Sequence, residues 1–166
     1  MPKLASGEMK IAFAITEPNA GSNSHWLETA AIQDGDDWVL SGTKYYISGP
    51  DDAEAILVVA RTGGAEDGRG RLSLFIVDSN ASGLEKTLIR MQIPGADRQF
   101  TLFFDKVRVS ADRLLGNEGH RLSQVFVGLN PERILGAALA NGAGLHAIEQ
   151  ASRYANEHTL DLPKSY

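Results

Sequence analysis

The stretch Ala53–Thr62, "AEAILVVART", decides how the rest of the chain is read. It is apolar without a break from Ala55 to Ala60, so neither parity of a strand is left polar. A strand of that kind is buried on both faces or sits at the centre of a barrel. Working outward, "LSLFIVD" (residues 72–78) reads as a second buried strand, with "GGAEDGRG" (63–70) as the loop between them. Upstream, "IAFAIT" (11–16) is a short apolar run and "LETAAIQ" (27–33) alternates loosely. "DDWVLSGTKYYIS" (36–48) reads as a long strand after the turn "DGDD" (34–37). Downstream, "LEKTLIRM" (84–91) and "RQFTLFFDKVRVS" (98–110) flank "IPGADR" (93–98), which reads as a turn. Seven or eight short strands joined by Gly, Asp and Asn turns, with no helix between them, predict a sandwich or a barrel.

The texture changes after Gly119. Leu122, Val125, Phe126 and Leu129 recur at helical spacing, as do Ile134, Leu135, Ala138, Leu139, Leu145, Ile148 and Ala151. This predicts one long helix, or two, over residues 119–157. Asn130-Pro131-Glu132 looks like a helix start, with Asn as N-cap, Pro at N1 and an acid in the first turn. The other reading is a single helix kinked at Pro131. Gly136, Gly142 and Gly144 each weaken a helix by roughly 1 kcal/mol relative to Ala, which makes sense if something packs very close to that face. The fold class expected is therefore mainly β. A β-barrel or two packed antiparallel sheets in residues 1–115 is followed by a C-terminal helical part, 116–166, with one long helix that is straight or kinked.

Composition narrows the function classes. With 166 residues the chain is about one domain and can bury a core without disulfides or metals. It has no cysteine, which excludes disulfides, cysteine metal sites and thiol catalysis and suits a cytoplasmic location. No apolar run approaches the roughly 18 residues of a membrane span, and "MPKLASGEMK" lacks the apolar core of a signal peptide. The net charge of -5, with Lys and Arg scattered, speaks against a nucleic-acid partner. Ser22, Ser24 and His25 lie close together without an acid to complete a triad. The four histidines show no metal-ligand spacing, and "GAALANGAG" (136–144) is not a dinucleotide fingerprint. Gly63, Gly64, Gly68 and Gly70 sit among charges, as in a flexible hairpin loop.

One loop is built for close approach. In "AITEPNAGSN" (14–23) an apolar lead-in is cut by Thr16-Glu17-Pro18 and followed by residues of little bulk. A plain hairpin needs two turn residues. Bare backbone N–H groups flanked by small hydroxyl side chains are what a ligand at short range requires.

Four stretches carry a resemblance: "FAITEPNAGSN" (13–23), "WVLSGTKYYIS" (38–48), "FFDKVRVSADRLLGNEGHRL" (103–122) and "LNPERILGAALANGAGLHAIEQASRYANE" (129–157). In order and spacing they resemble the acyl-CoA dehydrogenase family, from Pro2 to about Glu157. The resemblance implies the family's middle β-barrel domain plus the first long helix of its C-terminal domain. The N-terminal helical domain and most of the C-terminal bundle are not represented, so the chain reads as a piece of a longer flavoenzyme or as a truncated reading frame. After "RYANE" the family continues with R-x-x-F-G, whose Arg reaches an FAD phosphate of a neighbouring subunit. Here the sequence is "HTLDLPKSY" (158–166).

The resemblance also implies a site. The segment matching Phe13 to Ser22 runs along the flavin ring of FAD, which gives Phe13, Ile15, Thr16, Gly21 and Ser22 to the cofactor. Backbone N–H groups and the Thr16 hydroxyl meet the ring's polar edge. Ser22 also faces the CoA substrate. Tyr46, Ile47 and Ser48 form the second flavin segment. The family usually has Trp at the Tyr46 position and Thr at Ser48, so aromatic and hydroxyl characters are both kept. Strand alternation is expected to turn Tyr46, and not Tyr45, to the ligand side. In "LNPER" (129–133), Glu132 matches the catalytic carboxylate of the isovaleryl- and long-chain-type members, while Asn130 and Arg133 match CoA-contacting positions. Read on residues alone, Glu132 is equally a first-turn acid favourable to the helix dipole, and Arg133 a surface cation. Most family members carry the base later in the C-terminal domain.

Taken together, the resemblance implies an FAD-dependent dehydrogenase of acyl-CoA thioesters. It would pass electrons to an electron-transfer flavoprotein and act as a homo-oligomer, and this chain alone would hold FAD weakly. The alternatives are an acyl-CoA oxidase-like flavoenzyme or a non-catalytic β-barrel binding or scaffold module.

Overall fold

The computed structural model describes residues 2–63, 71–92, 98–119 and 122–158. The expected loop around 64–70, most of the turn "IPGADR" and the tail 159–166 lie outside the described residues. The chain forms two compact units, Met1–Leu122 and Ser123–Tyr166.

The first unit is the strand body. A short helix α1 (Pro2–Ala5) precedes β1 (Ile11–Ala14), β2 (Ala30–Asp34), β3 (Asp37–Ser48), β4 (Ala55–Gly63), β5 (Arg71–Asp78), β6 (Leu84–Ile89) and β7 (Gln99–Ser110). The expectation for β4 holds: Ala55, Ile56, Val58, Val59 and Ala60 are all buried, on both parities. It has that cover because both its edges are paired within one seven-stranded curled sheet. β5 lies antiparallel along one edge. The other edge is shared, with β1 pairing Ala55–Val58 and β2 rejoining at Arg61. From β2 the order continues through β3 and β7 to β6, all antiparallel.

The sheet is thus mixed, not a pair of antiparallel sheets, because β1 and β2 both run parallel to β4. They are in effect two halves of one strand along a single edge. The chain leaves that edge after Ala14 and returns at Ala30, so residues 15–29 form an excursion from the sheet. The Arg61 N–H donates to the Thr29 carbonyl at 2.8 Å where pairing resumes. This is why the apolar run is cut at Thr-Glu-Pro. Gly42 permits the fit on the neighbouring strand. A Cβ there would lie 2.6 Å from the Thr29 Cα, and its φ of +148° is itself unfavourable for other residues. The core closes around Trp38, Leu40, Phe75, Leu102 and Val107, with the Trp38 and Phe75 rings edge-on at 5.4 Å.

The second unit is α2 (Leu122–Glu157), a single helix of 36 residues that runs through Pro131. Asn130-Pro131-Glu132 is therefore not a helix start, and Glu132 is not a first-turn acid. Residues 125–129 are helical in their own right, so Pro131 only deletes one rung from an existing ladder. Within this unit Ile134, Leu135, Leu139, Leu145 and Ile148 are exposed. A Cβ placed on Gly136, Gly142 or Gly144 meets nothing within 4 Å, so the close neighbour expected at these glycines is not found among the described residues. No helix among the described residues is long and apolar enough to cross a membrane.

Candidate functional site

The excursion 15–29 is short of apolar side chains and is held by polar ones. Glu17 and Ala20 close a tight turn on each other, with N–H to carbonyl distances of 3.0 and 3.2 Å, and Pro18 suits its second position. The Asn23 side chain accepts from the His25 N–H at 3.2 Å and caps a single 3₁₀ turn, Ser24–Trp26.

The main tie is a buried ion pair. The Lys44 ammonium, with its side chain fully enclosed, lies 2.8 Å from Glu17 Oε1. It also donates to the Ile15 carbonyl at 3.0 Å. The Glu17 carboxylate accepts the Glu28 N–H at 2.6 Å and the Thr29 N–H at 3.0 Å. One carboxylate therefore joins the start of the excursion, its end and the neighbouring strand. Burial by itself would push the Glu17 carboxyl up. The Lys44 cation, with hydrogen bonds from Lys44, Thr29 and the Glu28 N–H, outweighs it and holds the group below its ordinary value. Burial lowers the Lys44 ammonium to about 8, with Glu17 opposing that fall.

The two segments expected to face a flavin are joined directly. The Tyr45 N–H donates to the Thr16 carbonyl at 2.8 Å. At this point β3 is irregular. Its register against β7 shifts between Lys44 and Ile47, which inserts an extra residue as a bulge. Tyr46 takes up a left-handed φ of 55°. Strict alternation therefore fails here: Lys44 and Ile47 both point into the body, and Tyr46 is 52% exposed because of the bulge. The Tyr45 and Tyr46 rings meet edge-on at 4.2 Å.

The remaining candidates fall in three places. Phe13, Ile15 and Thr16 are half-buried, and Gly21 and Ser22 are exposed at the tip of the excursion. A Cβ on Gly21 would meet nothing within 4 Å. Ile47 is buried, so only its backbone can face a ligand. Ser48 is exposed and accepts from Gln99 Nε2 at 2.7 Å. It borders a hollow of about 410 Å³ lined also by Leu4, Met9, Lys10 and Ala53. Asn130, Glu132 and Arg133 are all exposed on α2, with Arg133 Nη1 at 3.4 Å from Asn130 Oδ1. The structure brings Thr16 and Tyr45 together in the strand body, while the three helix residues form a separate group in the second unit.

Sequence reasoning missed Glu17 and Lys44 as a pair. A signal was present: Lys44 shares the inward parity of Trp38 and Leu40, and a cation there requires an anion. Glu17 is the only acid in "AITEPNAGSN".

Comparison with known proteins places the chain in a family. Residues 12–107 match the family model described as acyl-CoA dehydrogenase, middle domain. The chain is 49% identical over 154 residues to acyl-CoA dehydrogenase FadE12 of Mycobacterium tuberculosis, covering 93% of this chain and 40% of that protein. It therefore spans about two-fifths of the length of the curated relatives it matches. The fold superposes on butyryl-CoA dehydrogenase from Megasphaera elsdenii with a TM-score of 0.80 at 27% identity, over 96% of this chain and 42% of the other. A glutaryl-CoA dehydrogenase from Mycobacterium smegmatis, solved in complex with FADH2, matches with a TM-score of 0.62 at 34% identity, over 72% of this chain and 30% of that one. The chain belongs to the acyl-CoA dehydrogenase family.

Proposed function

We propose that this chain supplies one flavin-binding wall and the catalytic helix of a longer FAD-dependent acyl-CoA dehydrogenase. The observation that carries the reading is the 2.8 Å hydrogen bond from the Tyr45 N–H to the Thr16 carbonyl. It makes one continuous surface of two segments that are far apart in sequence and that the family resemblance gives to the same ring.

The residues present fit that cofactor. A flavin edge alternates hydrogen-bond donors and acceptors, so it is best read by backbone and short hydroxyl groups. Thr16 is half-buried and Ser22 exposed, a Cβ on Gly21 would meet nothing within 4 Å, and an exposed aromatic stands at Tyr46. Phe13, Ile15, Thr16, Gly21 and Ser22 on one segment, and Tyr46, Ile47 and Ser48 on the other, would hold the cofactor. Bound FAD supplies a two-electron acceptor for the hydride that leaves the substrate β carbon. Glu132 takes the α proton, so that an acyl-CoA becomes a 2-enoyl-CoA. Ser22, Asn130 and Arg133 bind the CoA thioester. Glu132 is exposed on α2; the desolvation that tunes a carboxylate for this task comes from other walls of the longer enzyme and from the substrate itself. That enzyme is a cytoplasmic homo-oligomer that passes its electrons to an electron-transfer flavoprotein.

The test mixes the longer enzyme, loaded with FAD, with straight and branched acyl-CoA thioesters in the absence of oxygen. Bleaching of the flavin, with one enoyl-CoA formed per flavin, is expected. Absence of FAD binding, or no bleaching by any thioester, overturns the reading. In a parallel assay under air, steady oxygen uptake during turnover makes the enzyme an oxidase.

A further inference from the structure

The Glu17–Lys44 pair is almost wholly enclosed. Buried ion pairs are weak evidence for stability, because desolvating two charges offsets most of their attraction. A loop that only had to be closed could be closed by apolar packing or by backbone hydrogen bonds. Here a fully enclosed ammonium and a nearly enclosed carboxylate are devoted to one segment, residues 15–29. What they hold is specific. Lys44 takes the Ile15 carbonyl, one residue before Thr16. Glu17, one residue after Thr16, takes Lys44 and the N–H groups of Glu28 and Thr29. Lys44 itself is the residue before Tyr45, whose N–H holds the Thr16 carbonyl, and it opens the bulge that sets Tyr46. Thr16 is thus bracketed on both sides, and the bulge is tied to the same bracket.

We propose that Glu17 and Lys44 are positioning residues that fix the Thr16 edge and the Tyr46 bulge as one rigid flavin-facing surface. The inference rests on the flavin reading above and adds to it the device that sets the geometry. Neither residue touches the cofactor. Their effect is on how much ordering the wall must undergo when the cofactor arrives, and pre-ordering of a binding surface raises affinity without new contacts.

The decisive variant is Glu17→Asp in the longer enzyme. It keeps the charge but withdraws the carboxylate by one methylene, so it can satisfy Lys44 or the Glu28 and Thr29 N–H groups, not both sets. FAD affinity is read by titration of flavin fluorescence into the apoprotein, and stability by thermal melting of that apoprotein. Because either choice leaves buried polar groups without a partner, we expect the melting temperature of the apoprotein to fall by several degrees. FAD affinity should fall on the order of tenfold or more, beyond the loss in a core variant of equal melting temperature such as Phe75→Leu. The visible flavin spectrum of the loaded variant should also lose fine structure. Unchanged FAD affinity overturns the proposal. So does an affinity loss that merely tracks a fall in melting temperature, because the pair is then structural only. The double variant Glu17→Gln/Lys44→Met removes both charges at similar volume. It is expected to melt near wild type and still bind FAD weakly; wild-type affinity in it overturns the proposal independently. Wild-type apoprotein that takes up no FAD is a different outcome, and it overturns the flavin reading itself.

Discussion

The strand body and the helix solve the problem of apolar surface in opposite ways. In the body, Ile56, Val58, Phe75, Leu102 and Val107 are completely or almost completely enclosed, and a Lys and a Glu are enclosed with them. In α2, Ile134 is 73% exposed and Leu145 70% exposed, although their spacing is that of a buried face. The body therefore draws its stability from its own long-range strand pairing. The helix draws on backbone hydrogen bonds and propensity, which sustain an isolated helix only marginally. The proposed roles divide along the same line. The residues expected to hold a rigid ring lie on the self-supporting body, and the residue expected to move a proton lies on the helix.

The largest effect should separate chemistry from stability on the helix. Glu132→Gln in the longer enzyme keeps size and hydrogen bonding but cannot accept the α proton. Flavin bleaching by acyl-CoA is expected to slow by about 10²–10⁴-fold, with FAD affinity and melting temperature unchanged. A normal bleaching rate assigns the base to another carboxylate and leaves Glu132 a surface acid.

On the body the ordering should reverse, with stability responding strongly. Glu17→Gln strands a buried ammonium and should cost about 3–5 kcal/mol in urea unfolding. Adding Lys44→Met should recover most of that loss. Phe75→Ala, at a fully enclosed ring, should cost a similar ~3–5 kcal/mol. Leu139→Ala, 66% exposed on α2, should change stability by less than about 0.5 kcal/mol. Both tryptophans, Trp26 and Trp38, belong to the body, so their fluorescence reports the body alone. The helical circular-dichroism signal of this chain should therefore fade before the tryptophan transition. Coincident transitions would mean that the two units unfold as one.

The fold was legible where the signal is local and repeated. The run Ala55–Ala60 is apolar on both parities, and a doubly paired strand is the simple way to bury it. The helical spacing from Leu122 onward likewise names α2. Pairing partners were not legible, because nothing local distinguishes β1 and β2 as two halves of one edge from two members of hairpins. Hence the antiparallel expectation missed both parallel pairings to β4. At Asn130-Pro131-Glu132 a local start rule met residues already helical on its N-terminal side, and the longer pattern won. At Tyr45-Tyr46 strict alternation lost to a bulge, which depends on the facing strand β7 and not on β3 alone. The candidate site is drawn from motifs that the family resemblance singles out, and to these the structure adds the hydrogen bond between Thr16 and Tyr45. The bracket of Glu17 and Lys44 around Thr16 was within reach of parity reasoning, since a lysine facing inward demands a partner.

The smallest effect, and the one that isolates the bracket, is on pH. The Glu17 carboxyl is held below its ordinary value of 4.5 in the folded body. Its folded form therefore releases the proton more readily than its unfolded form, and that difference stabilises the fold above pH 4.5. As pH falls below 4.5 the unfolded chain takes up a proton first, so stability declines until the folded carboxyl is protonated as well. Lys44, lowered to about 8, stays charged across this whole range and does not shape it. Burial opposes the Lys44 cation here, so the decline reflects the balance of two opposed effects. Urea midpoints followed by tryptophan fluorescence should therefore fall with acid in the wild-type chain. Part of that slope should disappear in Glu17→Gln/Lys44→Met, where neither group titrates. An acid slope identical in both proteins would mean that the surface carboxylates, and not the buried bracket, set the response of the body to acid.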